Sequence, residues 1–201
     1  MFLKKLEDIM NNSKTTYTID ELLGQFQSDI IIVCIVFITI ITSLPLPPWG
    51  GGFETIPGGL LCIFLSLQGI LGFNQVYLPE YIKNIKVDIE ILKSSTFLQD
   101  SIKWVNDNIE TNRYEWIFNI FTEKIMYLLI MLHAILMIIP VVFTNGPPSQ
   151  CITLMGLFWL LKNGFYFLII LSISIFVLVM YIILFVFSAK YLYKIIRYYS
   201  W

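Results

Sequence analysis

The residue types that could bind a ligand gather at two proline- and glycine-rich interruptions of an otherwise apolar chain. The first interruption reads SLPLPPWGGGFE from Ser43, and the second reads PVVFTNGPPSQ from Pro140. A helix that begins directly after such an interruption presents unpaired N–H groups and the positive end of its dipole, which favour an anion. The sequence therefore predicts an anion-binding site built from backbone amides and short polar side chains: Gly50, Gly51, Gly52, Glu54, Asn145 and Ser149.

Prolines set the shape of both interruptions, because proline lacks an N–H group and cannot continue a helix. Unpaired backbone groups are not tolerated in hydrocarbon, so a break at membrane depth must be sheltered by protein or line a wet cavity. We expect two re-entrant turns or broken-helix tips that shelter each other. The alternative is that the tips only cap helices and pack, without binding a ligand. The prolines that make the breaks are Pro45, Pro47, Pro48, Pro140, Pro147 and Pro148.

Two ionisable residues lie within or beside the apolar segments. Glu54 is the only acidic residue between Asp29 and Glu80, and His133 is the only histidine of the chain. An ionisable group at membrane depth indicates a functional role by default. For Glu54 the sequence leaves open a proton-linked role and a solvated position at a loop tip. For His133 it favours a hydrogen bond to a neighbouring carbonyl.

Patterns typical of an enzyme are missing from the sequence. The chain has no GxSxG, HExxH or P-loop motif, and a single histidine in an apolar segment limits general-base chemistry. Cys34, Cys62 and Cys151 lack CxxC or histidine-containing metal spacing, so we interpret them as buried thiols. We expect no enzymatic activity, no catalytic residue, no metal and no cofactor.

Composition identifies the environment of the chain. Hydrophobic residues make up 57% of the sequence, charged residues only 13%, and the mean hydropathy is +0.76. These values are outside the range of soluble globular domains and indicate an integral membrane protein with the lipid bilayer as its surroundings. The net charge of −1 offers no basic surface, so a nucleic acid partner is not expected.

The apolar segments predict the fold class. They cover about residues 30–44, 58–71, 125–143, 151–161 and 165–189. A spanning helix needs about 20 residues, so the segments at 125–143 and 165–189 can cross a bilayer comfortably and the others cannot. A pair of segments flanks each interruption, which predicts an internal duplication. We therefore expect an all-α polytopic membrane protein with broken-helix or re-entrant hairpins and a C-terminal transmembrane helix.

These predictions divide one membrane domain, residues 1–201, into five parts. An N-terminal amphipathic segment at 1–17 is expected to lie on the membrane or on the protein. Repeat unit 1 covers 18–72 and repeat unit 2 covers 111–164. Two central amphipathic helices fill 73–110, and a transmembrane helix with a basic, aromatic tail fills 165–201.

Local signals refine three of these parts. Thr18 and Glu21 have the spacing of a capping box. Thr96 begins the second central helix. The basic tail after Ala189 predicts a cytoplasmic C-terminus, with the N-terminus on the same side and Lys162 facing outward. The first central helix is predicted from apolar residues at helical spacing, Ile82, Ile85, Ile89 and Leu92.

Several motifs form a linked set along the chain. The first half carries LPLPP at 44–48, GLLCIFLSLQ at 59–68 and YLPE at 77–80. The second half carries PVVFTNGPP at 140–148 and GLFWLLKNG at 156–164. This set resembles the ExoD family of bacterial membrane proteins associated with exopolysaccharide synthesis, whose corresponding motifs are LPLPPG, GLPLLLLALQ, WLP, PxPxGNxxP and GLGLLERDG. The resemblance covers most of the chain.

The chain departs from the family pattern at three positions. Val142 stands in place of a proline, Thr144 in place of a glycine, and Asn163 in place of the aspartate of the DG pair. If that aspartate is essential in the family, Asn163 marks an altered working position.

The resemblance implies a role in exopolysaccharide synthesis and a place in the bacterial cytoplasmic membrane. We expect transport of an anionic or phosphate-bearing solute, or of a lipid carrier, through the paired breaks. The alternative is a non-transporting scaffold or regulatory subunit that binds polysaccharide-synthesis proteins through the central amphipathic helices. The sequence makes no prediction of an oligomeric state.

Overall fold

The computed structural model describes residues 2–12, 14–26, 29–43, 55–73, 75–90, 94, 96–109, 113–139 and 146–199. Within these ranges the chain is mostly helical, with one two-stranded antiparallel sheet that the all-α prediction did not include. In chain order the elements are α1 (Phe2–Asn11), β1 (Thr16–Thr18), α2 (Ile19–Gly24), α3 (Ile30–Ser43), α4 (Thr55–Leu71), α5 (Glu80–Lys83), β2 (Lys86–Asp88), α6 (Thr96–Asn108), a 3-10 turn (Glu115–Ile117), α7 (Ile120–Ile138), α8 (Gly146–Leu160) and α9 (Gly164–Tyr199).

Helices α3, α4, α7 and α8 form a four-helix bundle. Helix α4 packs chiefly against α7, and α3 packs chiefly against α8. The sequence neighbours also touch, α3 with α4 and α7 with α8. Apolar runs without internal charge allow burial between several helices, and the fully buried side chains include Ile32, Ile35, Leu65, Met126, Ile130, Met137, Ile152 and Met155.

Glycines let the helices of the bundle approach closely. A Cβ atom added to Gly59 would lie 2.9 Å from the backbone oxygen of Ala134, on α7. A Cβ atom added to Gly69 would lie 2.5 Å from the ring of Tyr127, also on α7. Small residues at helix contacts are the usual means of close packing in membranes, where apolar lipid provides little hydrophobic driving force between helices.

Contacts along the bundle show that the described helix ends next to both interruptions lie at the same end. Gly58, near the start of α4, lies against Thr42, near the end of α3. Gly59 lies against Ile138, the last residue of α7. The start of α8 faces the end of α3, because Thr153 bonds to Thr39. We call this end of the bundle, where α3 and α7 end and α4 and α8 begin, the break end.

Helix α9 is the longest element and runs beside the bundle. It packs against α8 and α7, and its 36 residues correspond to about 54 Å. In the part of the chain that the structure describes, two helices are long and apolar enough to cross a membrane, Ile120–Ile138 and Gly164–Tyr191, which agrees with the sequence prediction. In an apolar 18-residue stretch of the second helix only 11% of the residues are buried within the protein, as expected for a helix that faces lipid.

An N-terminal layer covers the end of the bundle opposite the break end. Ile9 of α1 packs with Tyr17, Phe26 and Ile89, so α1 lies on the protein. The predicted capping box at the start of α2 is confirmed, since the Thr18 hydroxyl accepts from the Glu21 N–H and the Glu21 carboxylate accepts from the Thr18 N–H. The Lys14 ammonium and the Thr18 N–H together lower the pKa of the Glu21 carboxyl.

The prediction of a first central amphipathic helix is wrong. Of the residues described there, Glu80–Lys83, Glu90 and Ser94 are helical, but Lys86–Asp88 forms a strand that pairs antiparallel with Thr16–Thr18. Ile85 and Ile89 fit helical spacing, yet Val87 and Ile89 also alternate with Lys86 and Asp88 in the two-residue period of a strand. Pairing with β1 satisfies the backbone of both segments, and Ile89 is buried beside Tyr17. The second central helix is confirmed as α6.

The expected common side for both termini is not confirmed. Phe2 and Ile9 belong to the N-terminal layer. Helix α9 begins at Gly164, whose N–H bonds to Arg113, so it begins at the same end of the bundle as α7. From there α9 leads away past the break end, so its basic tail lies at the far end of the molecule. Lys162 lies over the Phe118 ring, at the end where α7 begins, and so it shares the side of the N-terminal layer.

This geometry predicts that the N-terminal layer and the basic tail face opposite sides of the membrane. In a chain whose three free cysteines are replaced by alanine, Lys4→Cys and Lys190→Cys should react with a membrane-impermeant maleimide from opposite sides. Labelling of right-side-out and inverted vesicles measures this directly. Reaction of both cysteines in the same vesicle orientation would contradict the position of α9.

Candidate functional site at the break end

The structure describes three of the residues predicted at the interruptions. Pro147, Pro148 and Ser149 belong to the first turn of α8. The other predicted residues lie outside the described residues. They are Pro45, Pro47, Pro48, Gly50, Gly51, Gly52 and Glu54 of the first interruption, and Pro140 and Asn145 of the second. The proposed ligand contacts of that group remain predictions.

The described helices on both sides of each interruption have their adjoining ends at one end of the bundle. Helix α4 begins at Thr55, directly after the first interruption, and α8 begins at Gly146, within the second. Both helix N-termini therefore lie at the break end, together with the C-terminal ends of α3 and α7. Two helix N-termini of 17 and 15 residues direct two sets of unpaired N–H groups and two positive dipole ends to the same end of the bundle.

Ser149 lies inside the bundle. Its side chain is fully buried, and its hydroxyl donates a 2.8 Å hydrogen bond to the Gly146 carbonyl. The Ser149 carbonyl in turn accepts a 2.9 Å bond from the Thr153 hydroxyl. The hydroxyl hydrogen of Ser149 is thus used within the first turn of α8, and an anion would have to replace that bond to receive it.

Hydroxyl groups form a polar seam between α3 and α8, directly below the break end. The Thr153 hydroxyl lies 2.8 Å from the Thr39 oxygen and shares its single hydrogen between that oxygen and the Ser149 carbonyl, and Thr39 donates to the Ile35 carbonyl at 2.9 Å. Thr42 donates to the Thr39 carbonyl at 3.1 Å. We call Thr39, Thr42, Ser149 and Thr153 the hydroxyl seam. Sequence reasoning identified only Ser149, although the spacings 39/42 and 149/153 place each pair on one helix face.

The hydroxyl seam should contribute measurably to stability. The double variant Thr39→Val with Thr153→Val should lose about 0.5–1 kcal/mol less free energy of unfolding than the two single variants lose in sum, because each single variant already breaks the same bond. Equilibrium unfolding in detergent micelles measures the four stabilities of this cycle. Thr42→Val with Thr153→Val is the control cycle and should be additive. Additive energies for Thr39 and Thr153 would contradict the bond between them.

The single histidine forms a hydrogen bond to another helix. His133 is fully buried on α7, and its Nε2 lies 2.6 Å from the Ser174 oxygen on α9. The sequence had favoured a neighbouring carbonyl as the partner, and a serine hydroxyl 41 residues away takes that place. Within the described part of the chain the Nδ1 atom of His133 has no hydrogen-bond partner. This pair joins α9 to the bundle about five residues below the end of α7.

Fixed charges are scarce around the break end. Helices α3, α4 and α8 contain no Asp, Glu, Lys or Arg, and those of α7 are Glu123 and Lys124 near its start. Helix-end dipoles and hydroxyl groups are therefore the polar features that the described residues contribute there. No group of three His, Cys, Asp or Glu side chains among these residues is arranged to hold a metal ion.

The motif at 156–164 lies at the end of the bundle opposite the break end, and the structure explains two of its residues. Asn163 is buried and caps α9, with its Oδ1 accepting a 3.0 Å bond from the Tyr166 N–H. Asparagine and aspartate cap helices equally well, so Asn163 preserves this role of an aspartate at the same place. A Cβ atom at Gly164 would lie 2.8 Å from the Tyr114 carbonyl oxygen, which explains the glycine.

The turns that close α4 and α8 have the same geometry. The Phe73 N–H donates to the Gln68 carbonyl at 3.0 Å, and Gly72 has a φ of 78°. The Asn163 N–H donates to the Phe158 carbonyl at 3.1 Å, and Lys162 has a φ of 52°. Glycine adopts this left-handed conformation without strain, whereas a residue with a Cβ atom pays roughly 1–2 kcal/mol.

Comparison with known proteins gave one match. The model of a protein family described as "Exopolysaccharide synthesis, ExoD" matches residues 2–187. Neither the curated proteins nor the solved structures contain a significant match.

Proposed function

Because the chain belongs to the ExoD family of exopolysaccharide synthesis proteins, we propose that it carries an anionic solute across the membrane through its two helix breaks. The solute is a phosphate-bearing molecule or a lipid carrier, and the membrane is the bacterial cytoplasmic membrane. No covalent bond is made or broken in this account, so the protein is not an enzyme and needs no cofactor.

The convergence of the helix ends is the observation that carries this proposal. Gly58 against Thr42 and Gly59 against Ile138 bring the start of α4 to the ends of α3 and α7. The bond between Thr153 and Thr39 brings the start of α8 to the same place. An anion at this end would meet the N–H groups of two helices at once, without any basic side chain.

The depth of the break end supports a re-entrant arrangement. His133 and Ser174 are at the same height on the adjacent helices α7 and α9, because they share a hydrogen bond. From there α7 continues for five residues, to Ile138, whereas the apolar run of α9 continues for fifteen, to Ala189. The difference of ten residues corresponds to about 15 Å for helices that run side by side. If the apolar run of α9 spans the hydrocarbon, α7 ends well inside it.

An internal duplication accounts for the symmetry of the bundle. If the hairpin α3–α4 corresponds to the hairpin α7–α8, then the contact between α4 and α7 corresponds to the contact between α8 and α3. Both contacts are extensive. The matching turns after α4 and α8, with left-handed residues at Gly72 and Lys162, support the same correspondence. Two related hairpins with their tips at one end are the arrangement in which the breaks can share one ligand.

Reconstituted transport tests the proposal. The purified protein in liposomes should move a fluorescent short-chain polyprenyl phosphate between leaflets, and a neutral polyprenol with the same fluorophore should move no faster than in empty liposomes. The phosphate is the group that the helix ends are proposed to bind, so the charged probe alone should respond. Movement of the phosphate probe at the rate of empty liposomes would refute transport of this class of solute.

One observation favours the scaffold as a second candidate function. Helix α6 is amphipathic, and within the described residues it makes no extensive contact with another element. Trp104 on this helix is 61% exposed, so the helix has an apolar side chain available for a partner. Deletion of residues 94–109 should then abolish co-purification of polysaccharide-synthesis enzymes and leave membrane insertion intact. Equal recovery of those enzymes with the deleted chain would exclude α6 as their binding site.

A further inference from the structure

Two strained residues meet where α8 turns into α9. Among the described residues, Tyr114 and Lys162 are the ones other than glycine with positive φ, at 58° and 52°. They belong to segments that touch, because the Gly164 N–H donates a 2.7 Å bond to the Arg113 carbonyl. Strained backbone persists where the surroundings enforce it, and it concentrates at functional sites.

Lys162 occupies a position at which glycine would be easier to accommodate. The equivalent turn after α4 has Gly72 in the left-handed conformation, with the same closing bonds. The fold therefore does not require a side chain at this position of the turn. A lysine at a strained position indicates that its ammonium group has a use.

Aromatic rings hold two cations at this turn. The Lys162 ammonium lies 4.9 Å from the Trp159 ring centroid and 5.1 Å from that of Phe118. The Arg113 guanidinium lies 4.6 Å from the Phe165 ring centroid. Within the described part of the chain, neither cation has a carboxylate oxygen within 4.0 Å. Ring faces fix the position of a cation and leave its N–H groups able to bind an anion.

The position of the turn along α9 indicates which anion is available. The apolar run of α9 begins at Phe165, directly after this turn, so both cations lie where the hydrocarbon gives way to headgroups. Lipid phosphates lie at this depth. We propose that Arg113 and Lys162 bind the phosphate of an anionic lipid headgroup. This site is at the end of the bundle opposite the break end and does not depend on transport through the breaks.

Thermal unfolding of the purified protein in a neutral detergent tests the site. Added phosphatidylglycerol should raise the midpoint of the wild type more than phosphatidylcholine does, because binding to the folded state stabilises it. Lys162→Gly should keep or raise the midpoint without lipid, since it relieves the left-handed strain, yet its apparent affinity for phosphatidylglycerol should fall about tenfold. Arg113→Gln should weaken lipid binding similarly.

Two further measurements make the outcome decisive. Lys103→Gln removes a charge from exposed α6 and should leave the response to phosphatidylglycerol unchanged. Inorganic phosphate alone should give no stabilisation, because it lacks the acyl chains that place the headgroup at this depth. An undiminished response of Lys162→Gly to phosphatidylglycerol would overturn the proposal. Stabilisation by inorganic phosphate equal to that by the lipid would overturn the assignment to a headgroup.

Discussion

Replacing Gly59 by valine should lower the free energy of unfolding by about 2–3 kcal/mol, the largest loss of stability that we expect from a single substitution in the bundle. The new Cβ atom would lie 2.9 Å from the Ala134 carbonyl oxygen and 2.8 Å from Cγ1 of Ile138. A side chain can rotate away, but a backbone oxygen moves only if α4 and α7 separate. Equilibrium unfolding in detergent micelles, followed by far-ultraviolet circular dichroism, measures the loss.

Gly24 provides the matched control for this experiment. It ends α2, and a Cβ atom there would have no heavy atom within 4 Å. Gly24→Val should therefore change the free energy of unfolding by no more than about 0.5 kcal/mol. Wild-type stability of Gly59→Val would mean that α4 and α7 do not touch at this height, and the convergence of helix ends would lose one of its supports.

Asn145→Asp should remove activity while preserving the fold, and it has the largest functional effect that we expect. Asn145 directly precedes Gly146, the first residue of α8. Aspartate is as good a cap as asparagine at a helix start, and its charge favours the helix dipole. The same charge would repel an anionic solute at the break end. We expect exopolysaccharide output in a complemented deletion strain to fall at least about tenfold.

A neutral cap separates the effect of charge from the effect of shape. Asn145→Ser keeps a capping oxygen without a charge and should retain most of the output, with both variants present in the membrane at wild-type amounts. Wild-type output from Asn145→Asp would show that no anion needs to approach this helix end. Equal losses in both variants would show that the amide itself matters, and the electrostatic explanation would fail.

The positions of the breaks could be predicted from sequence, but the helix pairing could not. Prolines at 45, 47 and 140 end the apolar runs, and the described helices stop or start close to those residues. Gly59 and Gly156 are visible in the sequence as small residues, yet their partners on α7 and α3 are not. Close approach depends on which surfaces meet in three dimensions, and a one-dimensional pattern does not contain that information.

Two other features were missed for different physical reasons. The segment around Val87 fits a helix and a strand about equally well, and pairing with Thr16–Thr18 decided between them. The hydroxyl seam joins Thr39 to Thr153 across 114 residues, so no local pattern reveals it. The capping box at Thr18 was predictable because both of its partners lie within one helical turn.

The exchange at Asn163 shows how a structure can change the meaning of a sequence difference. In the sequence it is a lost aspartate within a family motif. In the structure the side chain caps α9, a role that asparagine and aspartate share. The difference therefore carries no sign of lost function at this turn. Lys162 beside it has a stronger claim to a function, because its backbone conformation is costly and aromatic rings hold its ammonium group in place.

Depth and accessibility of the two interruptions provide the most direct test of the account. Single cysteines are placed across residues 45–57 and 140–150 in a chain without its native cysteines, and each is labelled with a fluorophore. Quenchers attached to lipid at mid-bilayer depth should strongly reduce the fluorescence of these labels. Those cysteines that react with an impermeant maleimide should all react from the same side of the membrane. This should be the side of the basic tail. Reaction of the two interruptions from opposite sides, or unquenched fluorophores fully open to bulk water, would contradict a shared break end inside the bilayer.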